Sequence, residues 1–321
     1  MIALLRNALN LLDEQGREEV LQFLISQQNP DGGFQDRGGR SDLYYSLFGG
    51  LMLRAAEKET GDRRPKAEDP LPEREAVEGS SHEVRSQKSE DRRPETGDRR
   101  PEIEVTLPEL VEGAILKLKH FISQQSNTEV PGFIEKCCLV LLQKELKIGQ
   151  NSQLKALVSL GKSFWKERHS INLSYRSFVL FLTFDAVLPF RRILKTGAKT
   201  MLPRTTIDEH SPCSEVAARV FLQKMLNQDG SEVQELLKSF ACETGGFKAF
   251  AHLNNPDMLS TAVALFALNY ADCDLRLLKP VCLDFIGQNF EDGAFLSGDG
   301  DLTTDVEYTF YGLLALGVLA D

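Results

Sequence analysis

Residues Asp284–Leu316 read DFIGQNFEDGAFLSGDGDLTTDVEYTFYGLLAL. A helix end carrying Gln and Asn runs into a polar turn with Asp-Gly, then an aromatic residue, a loop, and an aspartate before an apolar run. Glycine supplies the left-handed or tight backbone that a helix exit needs. An aspartate directly before an apolar run is a helix N-cap. The stretch therefore predicts helix, turn, helix. The second helix is apolar on most faces and must be covered on most faces.

The same order recurs along the chain. Gln22–Phe34 reads QFLISQQNPDGGF, His120–Phe133 reads HFISQQSNTEVPGF and Lys238–Phe247 reads KSFACETGGF. After the turn come Ser41–Leu51, SDLYYSLFGGL, and Asp257–Leu268, DMLSTAVALFAL. Asp42, Asp257 and Asp305 occupy one place in the repeat. Gly49, Ala264 and Gly312 recur at a second, where small residues would let neighbouring helices approach closely. Phe247 to Phe295 is 48 residues, and Phe34 to Phe133 is 99, or about 51 without an inserted charged segment. A further inner helix is expected over Ser174–Phe184. The pattern gives about five or six helical hairpins, and apolar alternation never persists long enough for strands. The fold class is all-α. Such hairpins can run out as an open solenoid or close into an α/α toroid. The near-uniform apolarity of Asp305–Leu319 favours closure, because an inner helix is covered on nearly all sides.

The chain has 321 residues, a net charge of -10 and 42% hydrophobic residues. Its apolar deficit is local: Glu57–Glu104 holds 26 charged residues and six apolar ones. ETGDRRP occurs at Glu59–Pro65 and again at Glu95–Pro101. A segment with so little to bury is expected to be disordered; the functional alternative is a docking tail using its paired arginines. The expected organisation is a first toroid repeat over 1–56, the insert over 57–104, and the remainder of the same toroid over 105–321. The acidic balance argues against nucleic acid as a partner. No apolar run reaches the length of a membrane span. Six cysteines without CxxC spacing predict reduced thiols and a cytoplasmic protein.

The repeat resembles that of the prenyltransferase and squalene-cyclase superfamily, most strongly at 22–53, 239–270 and 284–319. The resemblance implies an α/α toroid with an aromatic-lined central cavity that holds an isoprenoid. It is closest to the protein prenyltransferase β subunits. Their pattern is GGF, a basic loop and D-x-C for two zinc ligands, then D-x-Y-H-T for the third. Here GGFKAFAHLNNPDML puts Asp257 at the aspartate place and Leu259 at the cysteine place. DVEYT puts Tyr308 at the histidine place. A lone carboxylate does not hold zinc, so no zinc site and no other cofactor is expected. The cyclases' DxDD motif is missing too, and Asp299, Asp301 and Asp305 in SGDGDLTTD read as turn residues.

Where the scaffold carries chemistry, the resemblance implies prenyl transfer or terpenoid conversion by acid–base or electrostatic means, with Asp257, Glu307 and Tyr308 as catalytic candidates. Aligning the inner helices on their aspartates places Tyr45, Ser260 and Tyr308 at one level, joined by Arg176. Neighbouring positions add Tyr44, Leu259, Glu307, Phe48 and Tyr311. Tyrosines suit a pocket for a long apolar molecule with a polar head, and Arg176 would pair a phosphate or a carboxylate such as Glu307. Arg191, Arg192, Lys195, Lys199 and Arg204 form a basic stretch suited to a diphosphate, an acidic partner or a membrane surface. The rival reading is a non-catalytic toroid that serves as an interaction module for a protein partner or a second copy.

Overall fold

The structure, a computed structural model, describes residues 1–57, 106–125, 130, 132–149, 153–166, 173–187 and 207–320. The expectations for the charged insert and for the basic stretch at 191–204 fall outside the described residues. Contacts group Met1–Glu57 with Leu107–Asp321 as one unit and set Lys58–Thr106 apart as another. The helices below belong to the first unit.

Twelve helices are found among the described residues: α1 (Ile2–Leu11), α2 (Glu14–Ser26), α3 (Leu43–Ala56), α4 (Leu107–Gln124), α5 (Phe133–Glu145), α6 (Gln153–Lys166), α7 (Leu173–Val187), α8 (Cys213–Met225), α9 (Ser231–Lys238), α10 (Met258–Tyr270), α11 (Lys279–Gln288) and α12 (Val306–Leu319). The all-α expectation describes this architecture. Among the described residues, strand pairing comprises three ladders of two-residue strands, β1 (Phe34–Gln35) with β2 (Ser41–Asp42), β3 (Phe247–Lys248) with β4 (Pro256–Asp257), and β5 (Phe290–Glu291) with β6 (Ala294–Phe295), and two isolated bridges, Gln28 with Phe34 and Ala241 with Phe247. Two residues are too few to leave an alternating pattern, so the sequence gives no sign of them.

The three aspartates start their helices as expected. Asp42 Oδ1 accepts from the Tyr44 and Tyr45 amides at 2.7 and 3.0 Å. Asp257 Oδ1 accepts from the Ser260 amide at 2.7 Å, and Asp305 Oδ1 from the Tyr308 amide at 2.8 Å. Each cap satisfies amides that a helix start leaves orphaned. A hydroxyl one turn further on joins cap to turn. Ser46 and Thr261 accept from the amides of Phe34 and Phe247 at 2.9 and 2.8 Å, and Thr309 from that of Phe295 at 3.3 Å. The three phenylalanines are buried, each contributing on the order of 1.5–3 kcal/mol.

The two glycines at the second repeated place make room within their own repeat. A Cβ on Gly49 would lie 2.6 Å from the Phe34 ring, and one on Gly312 would lie 2.2 Å from the Phe295 ring. The space admits the aromatic of the same repeat rather than a neighbouring helix. The turn glycines Gly32, Gly245 and Gly293 have positive φ, and each sits on the backbone of another helix. A Cβ would lie 2.1 Å from Lys117 O of α4, 2.0 Å from Val281 O of α11, and 2.3 Å from Glu19 of α2, respectively. Backbone freedom and close approach both require glycine there.

Six of the described helices form a series. α3 packs on α5, α5 on α7, α7 on α8, α8 on α10 and α10 on α12. α12 lies against α3, and α1 lies against both. Other helices attach to this series: α2 and α4 to α3, α6 to α5 and α7, α9 to α8 and α10, and α11 to α12. β6, beside α11, also meets α2.

Candidate functional site

The inner series leaves a cavity of about 670 Å³ lined by residues of α1, α3, α5, α7, α8, α10 and α12. Register explains which side chains face it. Two, six and nine residues after their capping aspartates stand Tyr44, Phe48 and Leu51 on α3 and Leu259, Val263 and Phe266 on α10, and six and nine residues after Asp305 stand Tyr311 and Leu314 on α12, all of which line it. That spacing of four and then three residues is one face of an α-helix. Phe178 of α7 and Phe221 of α8 complete an aromatic wall. Their rings meet edge to face at 5.0 Å, and Phe221 stacks on Phe266 at 5.7 Å.

Of the residues expected at the cavity, Tyr44, Phe48, Leu259 and Tyr311 line it, and Tyr45, Arg176 and the catalytic candidates Asp257, Glu307 and Tyr308 are not among its lining residues. For Tyr45 and Tyr308 the cause is one step of helical rotation: three residues past the cap lies about 100° from the position two past it. Arg176 is fully buried elsewhere. Its guanidinium lies 4.6 Å from the centre of the Phe133 ring and 5.4 Å from that of Phe164. Glu307 takes Tyr44 as its partner, and its expected pairing with Arg176 is not what the structure records.

Sequence reading missed Leu51, Val263, Phe266, Leu314, Phe178 and Phe221. The first four carry a legible signal, the helical continuation of positions already chosen. The two phenylalanines sit in units whose turn motif has decayed, so no cap fixes their register.

The cavity has a polar end. The Tyr44 hydroxyl donates to Glu307 Oε1 at 2.8 Å and lies 3.4 Å from the Tyr311 hydroxyl. Burial pushes the Glu307 carboxyl above its ordinary range, opposed by the Tyr44 hydrogen bond and assisted by nearby Asp305. Glu215, near the start of α8, and Glu145, the last residue of α5, are the acids among the lining residues. Cys138 also lines the cavity. Burial holds its thiol well above the ordinary cysteine range, which keeps it neutral and a poor nucleophile.

Beside the Tyr44 end lies a charged cluster. Arg37 Nε donates to Asp305 Oδ2 at 2.8 Å and its Nη1 to Asp301 Oδ2 at 3.1 Å. The guanidinium lies 5.2 Å from the centre of the Tyr308 ring. Burial, with Asp305 and Glu307 nearby, raises the Tyr45 phenol well above its ordinary value. The SGDGDLTTD loop folds as the expected aspartate turns, with the Asp301 amide donating to Asp299 Oδ1 and the Thr303 amide to Asp301 Oδ1. Asp257 caps α10 with one oxygen, and its buried Oδ2 has no hydrogen-bond partner among the described residues. Burial raises its carboxyl, with Asp299 adding to the effect. Among the described residues, no three histidine, cysteine, aspartate or glutamate side chains are grouped to hold a metal ion. No described helix is long and apolar enough to cross a membrane.

No family model matches the chain, and comparison with curated proteins and with solved structures finds no match.

Proposed function

We propose that the helical unit is an α/α toroid of prenyltransferase-like type that receives an isoprenoid or similarly apolar molecule in its centre. Support for closure comes from two layers of contact: α12 returns to α3 and α1, and the β5–β6 turn returns to α2. The observation that carries the ligand is the cavity of about 670 Å³, whose lining repeats one apolar helix face from α3, α10 and α12. This size lies within the usual range for small-molecule pockets.

Binding without turnover is the reading we favour over prenyl transfer or terpenoid conversion. The candidates for acid–base chemistry, Asp257, Glu307 and Tyr308, stand outside the lining residues. A non-catalytic toroid is also the second reading offered by the sequence, there with a protein partner in place of a small molecule.

The test is displacement of an apolar fluorophore, N-phenyl-1-naphthylamine, from the full chain, together with mass spectrometry of an organic extract of the purified protein. Saturable probe binding and a co-purifying apolar compound are expected. Ala218 lines the cavity, so Ala218→Phe should weaken probe binding while leaving the melting temperature within a few degrees. A probe that does not bind, or that binds the variant equally well, overturns the proposal.

A further inference from the structure

We infer that a second cavity, of about 320 Å³, is an outer site at which the apolar molecule loads, and that it leads into the central cavity past Phe221 and Tyr270. The inference rests on the apolar-ligand reading above and adds where that molecule goes in.

Helix phase is the first ground. Leu259, Val263 and Phe266 carry the inner face of α10 along the central cavity, and Asn269 and Tyr270, three and four residues beyond Phe266, line the smaller one. On α8 the same step leads from Phe221, which lines both cavities, to Met225, which lines the smaller. Three to four residues is one helical turn, about 5 Å along the axis. Two packed helices therefore carry one lined passage a turn further, at the end of α10 remote from its Asp257 cap.

The shared wall is the second. Met1, Leu182, Phe221 and Phe266 line both cavities. Phe221 stands in an aromatic stack, with the Phe266 ring at 5.7 Å and the Tyr270 ring at 4.1 Å. Phe221 is buried and Tyr270 is 40% exposed, so the stack runs from the interior to the surface. Tyr270 is the last residue of α10, where a helix frays most readily, and it can swing into water for the loss of its stacking contact. An apolar chain lodged against Leu4 and Met225 then passes Phe221 inward.

Stopped-flow fluorescence on the full chain tests this, following N-phenyl-1-naphthylamine as it binds and as it is released on dilution. Tyr270→Ala should speed binding and release together by about two- to tenfold, the rate equivalent of one aromatic contact, and leave their ratio, the Kd, within about twofold. Arg37→Ala, beside Tyr308 at the Tyr44 end, should leave both rates unchanged. Asn269→Cys is the second variant and serves if the first fails to fold. A bulky maleimide attached there should slow loading of empty protein and, attached after loading, slow release. Wild type is labelled in parallel, because Cys242 and Cys273 are only half-buried. Unchanged rates in Tyr270→Ala, weaker affinity with an unaltered binding rate, or acceleration by Arg37→Ala instead overturns the inference. So does a label on Asn269→Cys that leaves both rates as in labelled wild type. A probe that never binds the wild type overturns the apolar-ligand reading itself, and this inference with it.

Discussion

The units ending in α10 and α12 begin with the same sequence signal and finish differently. In both, a phenylalanine is followed ten residues later by a capping aspartate. Around α10 the two are paired, Phe247 opposite Asp257, closing the loop on itself. Around α12, Phe295 pairs instead with Phe290 across an Asp292–Gly293 turn of positive φ. Asp305 is thereby left outside any ladder, and its second oxygen reaches Arg37 from the first repeat. The second oxygen of Asp257 is buried without a hydrogen-bond partner among the described residues. One aspartate has become a tie between distant parts of the chain, and the other remains a local cap. The repeat encodes the helix start; what the spare oxygen does depends on which loop folds beside it.

The largest expected effect tests the packing that the two units build on their aromatics. Gly312→Ala places a methyl 2.2 Å from the Phe295 ring and should cost about 1–3 kcal/mol by overpacking. A Cβ on Gly161 meets nothing within 4 Å, so Gly161→Ala should gain up to about 1 kcal/mol from helix propensity. Urea denaturation of both variants reads the difference, and equal effects would contradict the packing.

Removal of the two caps separates the tie from the local cap. Asp257→Ala should cost about 1 kcal/mol, the ordinary value of an N-cap. Asp305→Ala should cost more, about 1.5–2 kcal/mol, because Arg37 also loses one of its two carboxylate partners. The increment stays small because the Arg37 side chain is 43% exposed. Equal losses by chemical denaturation would mean that the Arg37 contact contributes nothing.

A smaller effect appears in the pH dependence. The Asp257 carboxyl holds its proton more tightly folded than unfolded. Its contribution is present below the ordinary aspartate value of 3.8 and is lost as pH rises through the raised folded value. Asp257→Asn keeps a capping oxygen and cannot ionise. The stability of wild type relative to this variant should fall as pH rises through that window and level off above it. A parallel pair of stability curves would show that the carboxyl does not titrate differently on folding. The smallest expected signal concerns zinc: metal analysis of the purified chain should find no stoichiometric zinc, and one zinc per chain would overturn the reading of Leu259 and Tyr308 as replaced ligands.

Much of the fold was legible because a cap and a turn are short-range signals. Asp42, Asp257 and Asp305 announce their helices within a few residues, and Gly32 and Gly245 announce their turns. The hydroxyls of Ser46, Thr261 and Thr309 are equally local and were overlooked, although each stands four residues after its aspartate. The cavity was legible only in part. Phase along a helix carries Tyr44 and Phe48 on to Leu51, yet the absence of a cap aspartate before α7 left Arg176 in the wrong phase. Its burial against Phe133 and Phe164 is decided by α5 and α6, which its own sequence neighbours do not reveal. The bond from Arg37 to Asp305 joins residues whose proximity depends on how α12 meets α3 and α1, a long-range fact that no local motif carries.

The seam at α1 sets an order on assembly. Leu5, Ala8 and Leu9 are buried, and Leu4 O comes so near Gly317 that a Cβ there would lie 2.0 Å away. Part of their cover is α12, synthesised long after them. A nascent chain on the ribosome therefore carries a greasy early helix whose permanent shelter has not yet been made, and whatever chaperone attends this protein should be found on residues 2–11 until residues 306–319 emerge.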